Sequence, residues 1–180
     1  MRLMGVLALI AVCLLATPSL AENVGFDLDD TLVYSTPAFA QGFAVSSFGT
    51  TEFWQEVNTS DEGNSTVKTS VKAILDSHIA DGDTVYVITA RKDVNGDCVR
   101  DWVSRTFGIP ASNVFFSSRK ATLLRRLDIV VFYGDSDSDI EAALDAGILG
   151  VRIERSVHSS YQKNYSPGKY NEPVLDWTAE

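Results

Sequence analysis

Carboxylates, hydroxyls and cations stand at the ends of four short apolar runs of the chain. The first run ends in Asp27–Thr31 (Asp-Leu-Asp-Asp-Thr), the second in Thr89–Arg91 (Thr-Ala-Arg), the third is followed by Lys120, and the fourth ends in Gly134–Asp139 (Gly-Asp-Ser-Asp-Ser-Asp). This set of groups suits phosphoryl transfer. One carboxylate can attack phosphorus, a second can move a proton, a hydroxyl and a lysine can hold phosphoryl oxygens, and the remaining acids can share a divalent cation.

Each part of this set also has an ordinary structural interpretation. Acidic turns after strands are common, Thr89 could cap a strand end, and Lys120 could be a solvated surface charge. The run that starts at Asp135 could form a calcium loop, but an EF-hand loop needs Gly at its sixth and Glu at its twelfth position. Ile140 and Ala146 stand there. The presence of all four parts in order, each at the end of an apolar run, therefore favours catalysis.

The elements that must position these groups follow from the hydrophobic pattern. We predict five strands, at Asn23–Leu28, Thr84–Ile88, Val114–Phe116, Ile129–Tyr133 and Leu149–Ile153. Between them, apolar residues at helical spacing predict helices that cover Val67–Ile79 (after Ser65 as N-cap), Val94–Phe107, Lys120–Leu127 and Ile140–Ala146.

The alternation of strands and helices predicts an α/β fold with a parallel sheet and right-handed crossovers. Ligands bind such sheets at the carboxyl ends of the strands, which is where the four polar stretches lie. Residues 32–64, rich in aromatic, Ser and Thr residues, and the polar tail 155–180 are predicted to be irregular. The chain shows no repeat and no linker, so we expect one domain over residues 22–180.

The first 21 residues have the pattern of a secretory signal peptide. Arg2 precedes the uncharged run Leu3–Ala16, and the small residues Ser19 and Ala21 would flank a cleavage before Glu22. A transmembrane anchor is the alternative, but the uncharged stretch is short for a span, and Pro18 favours cleavage. We therefore expect an exported product, periplasmic or secreted, that no longer contacts a membrane.

Charge and cysteine content limit the partners that the protein can bind and the disulfides that it can form. The formal net charge of −9 gives no general basis for binding nucleic acid, and an anionic substrate needs a local positive site such as a metal ion. Of the two cysteines, Cys13 leaves with the leader, so the mature protein cannot form an internal disulfide. Cys98 shares an apolar helical stripe with Trp102 and is predicted to be a buried, inert thiol.

The four polar stretches, read with their neighbours, resemble motifs I to IV of the haloacid-dehalogenase superfamily of phosphotransferases. Within it the chain is most similar to the class B bacterial nonspecific acid phosphatases, which are exported and magnesium-dependent. The similarity rests on three features. Motif I continues in the class pattern to Phe39, motif IV has the class sequence over Phe132–Ile140 (Phe-Tyr-Gly-Asp-Ser-Asp-x-Asp-Ile), and the pattern Arg-Ile-x-Arg precedes Tyr161. It implies a three-layer α/β/α Rossmann-like core with at most a small cap.

The resemblance also implies a role for each site residue. Asp27 would be the nucleophile that forms an aspartyl-phosphate, and Asp29 the general acid and base. Phosphoryl oxygens would be bound by Thr89, Arg91 and Lys120. Mg²⁺ would be held by Asp27, the backbone carbonyl of Asp29, and Asp135. Asp139 would lie behind these ligands and orient waters or Lys120.

Class members hold the leaving group in an aromatic pocket, which implies a preference for small phosphomonoesters such as nucleotides and aryl phosphates, with phosphotransfer to other alcohols as a side activity. By position its walls would be Phe39, Phe48, Trp54 and Tyr161; for Phe39 and Phe48 a place in the core is an equal alternative. His158 is expected to be an exposed loop residue and not an acid–base group.

The chain departs from the class pattern in three places, one of which is a short segment between motifs II and III. Class members carry a few dozen residues before motif I that help to assemble a tetramer, whereas the predicted cleavage leaves about five residues before Asp27; a homo-oligomer is left open. Motif II has Ala90 where the class usually has Gly. Alternative functions are a narrower 5′-nucleotidase-like or class C-like phosphatase and a non-catalytic binding protein that retained the fold, although the latter would be expected to have lost at least one of the motif residues.

Overall fold

The computed structural model describes residues 20–176. Eight strands are present in this range, namely β1 (Asn23–Phe26), β2 (Val33–Tyr34), β3 (Thr66–Val67), β4 (Thr84–Thr89), β5 (Val114–Phe116), β6 (Ile129–Gly134), β7 (Leu149–Ile153) and β8 (Val174–Leu175). The helices are α1 (Thr36–Val45), α2 (Thr51–Asn64), α3 (Thr69–Ala80), α4 (Gly96–Phe107), α5 (Lys120–Arg126) and α6 (Asp137–Ala146), with one 3₁₀ turn (Ala111–Asn113).

Six of the strands form one parallel sheet in the order β5-β4-β1-β6-β7-β8. Side chains alternate between its two faces, so that Val24 and Phe26 of β1 belong to a cluster with α3 and α4, while Phe132 of β6 packs with α5 and α6 on the other face. Both faces are thus covered by helices, as parallel sheets require. The predicted three-layer α/β/α fold is confirmed.

The central position of β1 places motif I in the middle of the sheet's carboxyl edge. β1 lies between β4 and β6, and all five predicted strands are present with ends that differ by at most two residues. The helices after β4, β5 and β6 also agree with the sequence pattern, including the left-handed glycines Gly108 and Gly147 that end α4 and α6. The polar stretches therefore converge at one edge, as expected from the parallel order.

The prediction that residues 32–64 are irregular is wrong, because most of this segment forms the helical hairpin α1–α2. Pro37 lies in the first turn of α1, and the Thr50 hydroxyl accepts the Phe53 N–H at the start of α2. Phe53 and Val57 then form a small separate core. Helical spacing was present in this aromatic-rich segment but was hidden by its many Ser and Thr residues. The hairpin is the small cap that the resemblance implied.

Ser65 is not the N-cap of the third helix. Its N–H donates to the carbonyl of Asp61 at 2.9 Å and so ends α2. The next two residues, Thr66 and Val67, pair antiparallel with β2, and α3 begins only at Thr69. This two-stranded β2–β3 ribbon closes the base of the α1–α2 hairpin.

The tail after residue 155 is mostly irregular, as predicted, but it adds the sixth strand β8 to the sheet. Arg152, fully buried in β7, ties this tail down. Its guanidinium lies 3.0 Å from a carboxylate oxygen of Asp137 and 2.8 Å from one of Glu172. Glu172 also accepts the backbone N–H groups of Gly168 and Tyr170.

Two further predictions concern the leader and Cys98. The signal-peptide prediction falls almost entirely on residues outside the described range and stays a prediction; within residues 20–176 no helix is long and apolar enough to cross a bilayer. Cys98 is exposed, so the prediction of a buried thiol is wrong. Val99, Trp102 and Val103 form the buried stripe of α4, and Cys98 lies just outside it.

The buried ion cluster around Arg152 predicts a large cost for removing Glu172. Replacement of Glu172 by Ala leaves Arg152 under-compensated and two backbone N–H groups without their acceptor, and we expect it to lower the free energy of unfolding by about 3 kcal/mol in urea denaturation. The matched Asp97→Ala variant, whose carboxylate is 94% exposed, should unfold at the wild-type midpoint. Equal midpoints for the two variants would contradict this account of the tail.

Candidate active site

Two buried aspartates mark the ends of the two central strands. Asp27 directly follows β1 and Asp135 directly follows β6, and both are less than 10% exposed. The parallel register pairs Phe26 with Tyr133, and the Asp27 N–H donates to the carbonyl of Tyr133 at 2.8 Å. The sheet itself therefore brings the two carboxylates together.

Lys120, the first residue of α5, neutralises part of this charge. Its Nζ donates to Asp27 Oδ1 and to Asp139 Oδ1, each at 2.6 Å. Burial alone would lower the pKa of Lys120, but the charges of Asp139 and Asp27 outweigh burial and raise it. Lys120 is thus a permanently charged ammonium that fixes the orientation of Asp27.

Asp139 is held from the other side by the N-terminus of α6. Ser136 caps the helix, and Asp139 Oδ2 accepts the Ser136 N–H at 3.0 Å and its hydroxyl at 2.6 Å. Asp139 also packs against the backbone of Gly134, where an added Cβ would lie 2.3 Å from the Asp139 Cβ. A residue with a side chain cannot stand at position 134 without displacing Asp139.

The carboxylate density at this edge strongly perturbs ionisation. Asp27, Asp135 and Asp139 each offer an oxygen within 4.8 Å of the others. Burial is the main cause that raises the pKa of Asp27 well above its usual value; Lys120 opposes this, and the neighbouring carboxylates add to it. Burial and Asp139 likewise raise the pKa of Asp135 to about 6, against the opposing charge of Arg155.

Oxygen ligands and uncompensated negative charge are what a hard divalent cation requires. The two oxygens of Asp139 are engaged by Lys120 and Ser136, and those of Asp135 by Thr31 and Arg155, whereas Asp27 has a hydrogen-bond partner within residues 20–176 only at Oδ1. Asp27 Oδ2 is therefore the oxygen of this cluster that is open to a divalent cation.

Arg155 is a site residue that sequence reasoning missed, although it stands in the Arg-Ile-x-Arg pattern. Its buried Nε donates to Asp135 Oδ2, and its Nη1 donates to the carbonyls of Tyr161 and Lys163 at 2.9 and 2.8 Å. The Thr31 hydroxyl donates to Asp135 Oδ1 at 3.2 Å. Arg155 thus fixes Asp135 and the loop that carries Tyr161 as one unit.

Asp29 faces Arg91 across the site. The Arg91 Nε lies 2.9 Å from Asp29 Oδ2, and its Nη2 lies 2.6 Å from Asp29 Oδ1. Burial tends to raise the pKa of Asp29, but the charge and hydrogen bonds of Arg91 more than offset this, and the net pKa is lowered. The Thr89 hydroxyl is 3.5 Å from Asp29 Oδ2.

A cavity of about 920 Å³ opens above these groups. Its polar floor includes Asp27, Asp135 and Lys120, and its walls are aromatic, contributed by Phe39, Phe43, Phe48, Trp54 and Tyr161. Phe48 and Tyr161 are 64% and 55% exposed and stand at the mouth, whereas Trp54 is buried in the hairpin core and not in a loop. Phe43 was not predicted as a wall; it lies one helical turn after Phe39 in α1, a helix that was not predicted from the sequence.

The structure brings the predicted site residues to one place. Ten of the eleven line this cavity, and Thr89 lies behind Asp29. Arg91 is one of these ten, but its N–H groups donate to the carboxylates of Asp29 and Asp61 and to the side-chain amide oxygen of Asn58. His158 is exposed, as predicted, and does not line the cavity.

Known proteins are similar to this chain either in sequence or in fold. The class B acid phosphatase of Salmonella arizonae is 34% identical over 167 residues, which cover 84% of this chain and 70% of that protein. The class B acid phosphatase of Klebsiella pneumoniae (strain 342) is 34% identical over 177 residues, covering 90% and 74%. This chain belongs to the class B acid phosphatase family. No family model matches it.

Solved structures place this class B acid phosphatase among haloacid dehalogenase-like folds. A predicted phosphoglycolate phosphatase from Haemophilus somnus superposes with a TM-score of 0.60 at 21% identity, covering 87% of this chain and 95% of that one. A haloacid dehalogenase-like hydrolase from Streptococcus pneumoniae gives a TM-score of 0.58 at 16% identity, covering 88% and 94%. At these identities the similarity concerns the fold alone.

The close approach of Gly134 to Asp139 predicts that the phosphatase tolerates no side chain there. We expect Gly134→Ala to lower the free energy of unfolding by about 1–3 kcal/mol, because Asp139 must move. In the matched variant Gly150→Ala the new Cβ meets the Ala143 Cβ at 3.0 Å, and the cost should be smaller. Urea denaturation of both variants measures the difference; a Gly150→Ala variant as unstable as Gly134→Ala would show that the contact with Asp139 is unimportant.

Proposed function

We propose that this protein, a phosphomonoesterase by its family, is an exported Mg²⁺-dependent acid phosphatase that works through an aspartyl-phosphate on Asp27. The observation that supports this most directly is the contact of Lys120 with both Asp27 and Asp139, next to Asp135, on the floor of an aromatic-walled cavity. A lysine beside a buried carboxylate can bind a phosphoryl oxygen while the carboxylate attacks phosphorus.

In the first step Asp27 attacks phosphorus, a carboxylate–phosphorus bond forms, and the bond from phosphorus to the ester oxygen breaks. The negative charge of the bound phosphoryl group opposes the effect of Arg91 and favours protonation of Asp29, which gives this proton to the ester oxygen, so that the leaving group departs as an alcohol. In the second step Asp29 takes a proton from water, the water oxygen bonds to phosphorus, and Asp27 is released together with orthophosphate. Lys120 holds a phosphoryl oxygen throughout, and Thr89, which lies outside the cavity lining, contacts Asp29 through its hydroxyl.

Bound Mg²⁺, which Asp27, the carbonyl of Asp29, and Asp135 would hold, supplies positive charge that lets a phosphate dianion approach several carboxylates. The residues around it position these ligands. Arg155 and Thr31 each contact one oxygen of Asp135. Asp139 accepts a hydrogen bond from Lys120 and so orients its ammonium group.

The aromatic walls support broad specificity for small phosphomonoesters. Phe39, Phe48, Trp54 and Tyr161 present ring faces and edges, which bind nucleobases and aryl groups with little chemical discrimination, at about 1–3 kcal/mol per stacked base. Because the intermediate is covalent, other alcohols can replace water, and phosphotransfer is the expected side activity. A narrower 5′-nucleotidase-like preference is the alternative, and a comparison of nucleotide and aryl substrates decides between them.

The sequence pattern of residues 1–21 supports an exported location for the enzyme. We propose that residues 1–21 are removed on export and that residues 22–180 form the mature, single-domain enzyme in the periplasm or outside the cell. The net charge of −9 gives no general basis for binding nucleic acid.

Replacement of Asp27 by Asn tests the nucleophile. With residues 22–180, we expect hydrolysis of p-nitrophenyl phosphate in Mg²⁺ to fall at least about a thousandfold in the variant, since an amide cannot form the acyl phosphate. EDTA should abolish wild-type turnover and added Mg²⁺ should restore it. The exposed Asp97→Asn variant serves as the control and should keep wild-type activity. A folded Asp27→Asn variant with substantial Mg²⁺-dependent activity would rule out this mechanism.

The raised pKa of Asp135 predicts that Mg²⁺ binds more weakly in acid. At pH 7 a carboxyl with a pKa of about 6 is ionised, whereas at pH 5 it holds a proton that the metal must displace. We expect the Mg²⁺ dissociation constant from titration calorimetry to rise about tenfold from pH 7 to pH 5. The Asp135→Asn variant should bind Mg²⁺ weakly at both values. A pH-independent dissociation constant in the wild type would contradict the raised pKa of Asp135, and wild-type Mg²⁺ affinity in Asp135→Asn would show that Asp135 is not a ligand.

A further inference from the structure

The guanidinium of Arg91 is fully occupied, and this changes the role that it can have. Its Nε donates to the carboxylate of Asp29, its Nη2 to Asp29 and to Asp61 (2.6 and 3.0 Å), and its Nη1 to Asp61 and Asn58 (2.6 and 3.4 Å). An arginine has five N–H groups, and these contacts use all of them. As placed, Arg91 has no donor left for a phosphoryl oxygen.

Asp61 is the partner that holds Arg91 in this orientation. It lies in α2, its carboxylate is only 2% exposed, and both of its oxygens accept from Arg91. The Ser65 hydroxyl donates to Asp61 Oδ1 at 2.7 Å, which fixes the carboxylate from the opposite side. The Asp61–Arg91–Asp29 contacts therefore form a rigid chain of bidentate pairs, the geometry in which arginine positions carboxylates best.

A second contact binds the same helix to the motif II loop. The side-chain amide of Asn58 donates to the carbonyls of Lys92 and Val94 at 2.9 and 2.7 Å. Asn58 and Asp61 thus fix both the backbone that follows Arg91 and the guanidinium itself. Arg91 also lies over the ring of Phe39, 5.6 Å from its centre, at the wall of the leaving-group cavity.

We propose that Asp61 is a positioning residue for the general acid: it holds Arg91, and Arg91 holds the carboxyl of Asp29 towards the ester oxygen of the leaving group. This rests on the proposed function, in which Asp29 protonates that oxygen as its bond to phosphorus breaks and the Asp27–phosphorus bond forms. The α1–α2 hairpin then has two tasks, since it walls the leaving-group cavity and orients the acid that serves it.

The leaving group itself provides the test. An alkoxide is a strong base and needs a proton to depart, whereas p-nitrophenolate is a stable anion and departs with little help. Loss of acid positioning must therefore slow alkyl esters far more than nitrophenyl esters. Loss of general stability or of phosphate binding slows both esters by the same factor.

The experiment compares kcat/KM for glycerol 2-phosphate and p-nitrophenyl phosphate in the Mg²⁺-loaded enzyme of residues 22–180. In Asp61→Asn we expect the value for the alkyl ester to fall about tenfold or more relative to the value for the aryl ester, within the range that general acids contribute. The inhibition constant of orthophosphate should stay within about twofold of the wild-type value. Glu62→Gln is the matched control, since the neighbouring exposed Glu62 pairs with the exposed Arg105, and its ratio should not change.

Equal losses for the two esters would overturn the proposal, and so would weaker orthophosphate inhibition with an unchanged ratio, which would make Arg91 a phosphate ligand. If Asp61→Asn fails to fold, Arg91→Lys replaces it in the experiment. A lysine ammonium cannot pair bidentately with both carboxylates, so this variant must show the same selective loss for the alkyl ester. A wild type inactive on both esters contradicts the proposed function instead. An active wild type with an unselective variant contradicts this inference alone.

Discussion

The architecture of the site depends on one electrostatic constraint, which is that three buried carboxylates meet at the carboxyl edge of the sheet. Asp27, Asp135 and Asp139 lie within 4.8 Å of one another through oxygen atoms, and burial makes their mutual repulsion costly. Lys120 bridges two of them, and Arg155 contacts the third. The two cations stabilise the cluster, yet the pKa of Asp135 still stands at about 6, so the site retains affinity for further positive charge.

Two buried arginines connect carboxylates of the site to parts of the chain outside the sheet. Arg155 and Arg91 are both buried and both pair with a functional carboxylate, and each also reaches an element outside the sheet. Arg155 reaches the loop of Tyr161, and Arg91 reaches α2. Each wall of the leaving-group cavity is thus connected by an arginine to an aspartate on the floor.

Much of the fold and most of the site could be predicted from the sequence, and the reasons are physical. Parallel strands buried on both faces are continuous apolar runs, and their carboxyl ends converge, so Asp27, Lys120 and Asp135 could be placed together without coordinates. The helical hairpin could not, because polar Ser and Thr residues obscure its apolar spacing and its core is only a few side chains. Asp61 and Asn58 lie in that hairpin and were missed for the same reason.

Contacts of Arg91 were beyond sequence reasoning for a different reason. Motif resemblance identifies a residue type, but whether a guanidinium meets a phosphate or a carboxylate depends on residues distant in the chain, here Asp61, 30 positions away. Cys98 shows the same limit at smaller scale, since one position along a helix separates a buried side chain from an exposed one.

The central claim is that Asp27 becomes phosphorylated during turnover, and chemical trapping tests it most directly. Borohydride reduces an acyl phosphate to an alcohol, so the enzyme quenched during turnover of p-nitrophenyl phosphate and then reduced should contain homoserine at position 27, detectable by peptide mass spectrometry. The account predicts homoserine at this position only when substrate is present. Turnover that proceeds with Asp27 unmodified, or with homoserine at another aspartate, would contradict it.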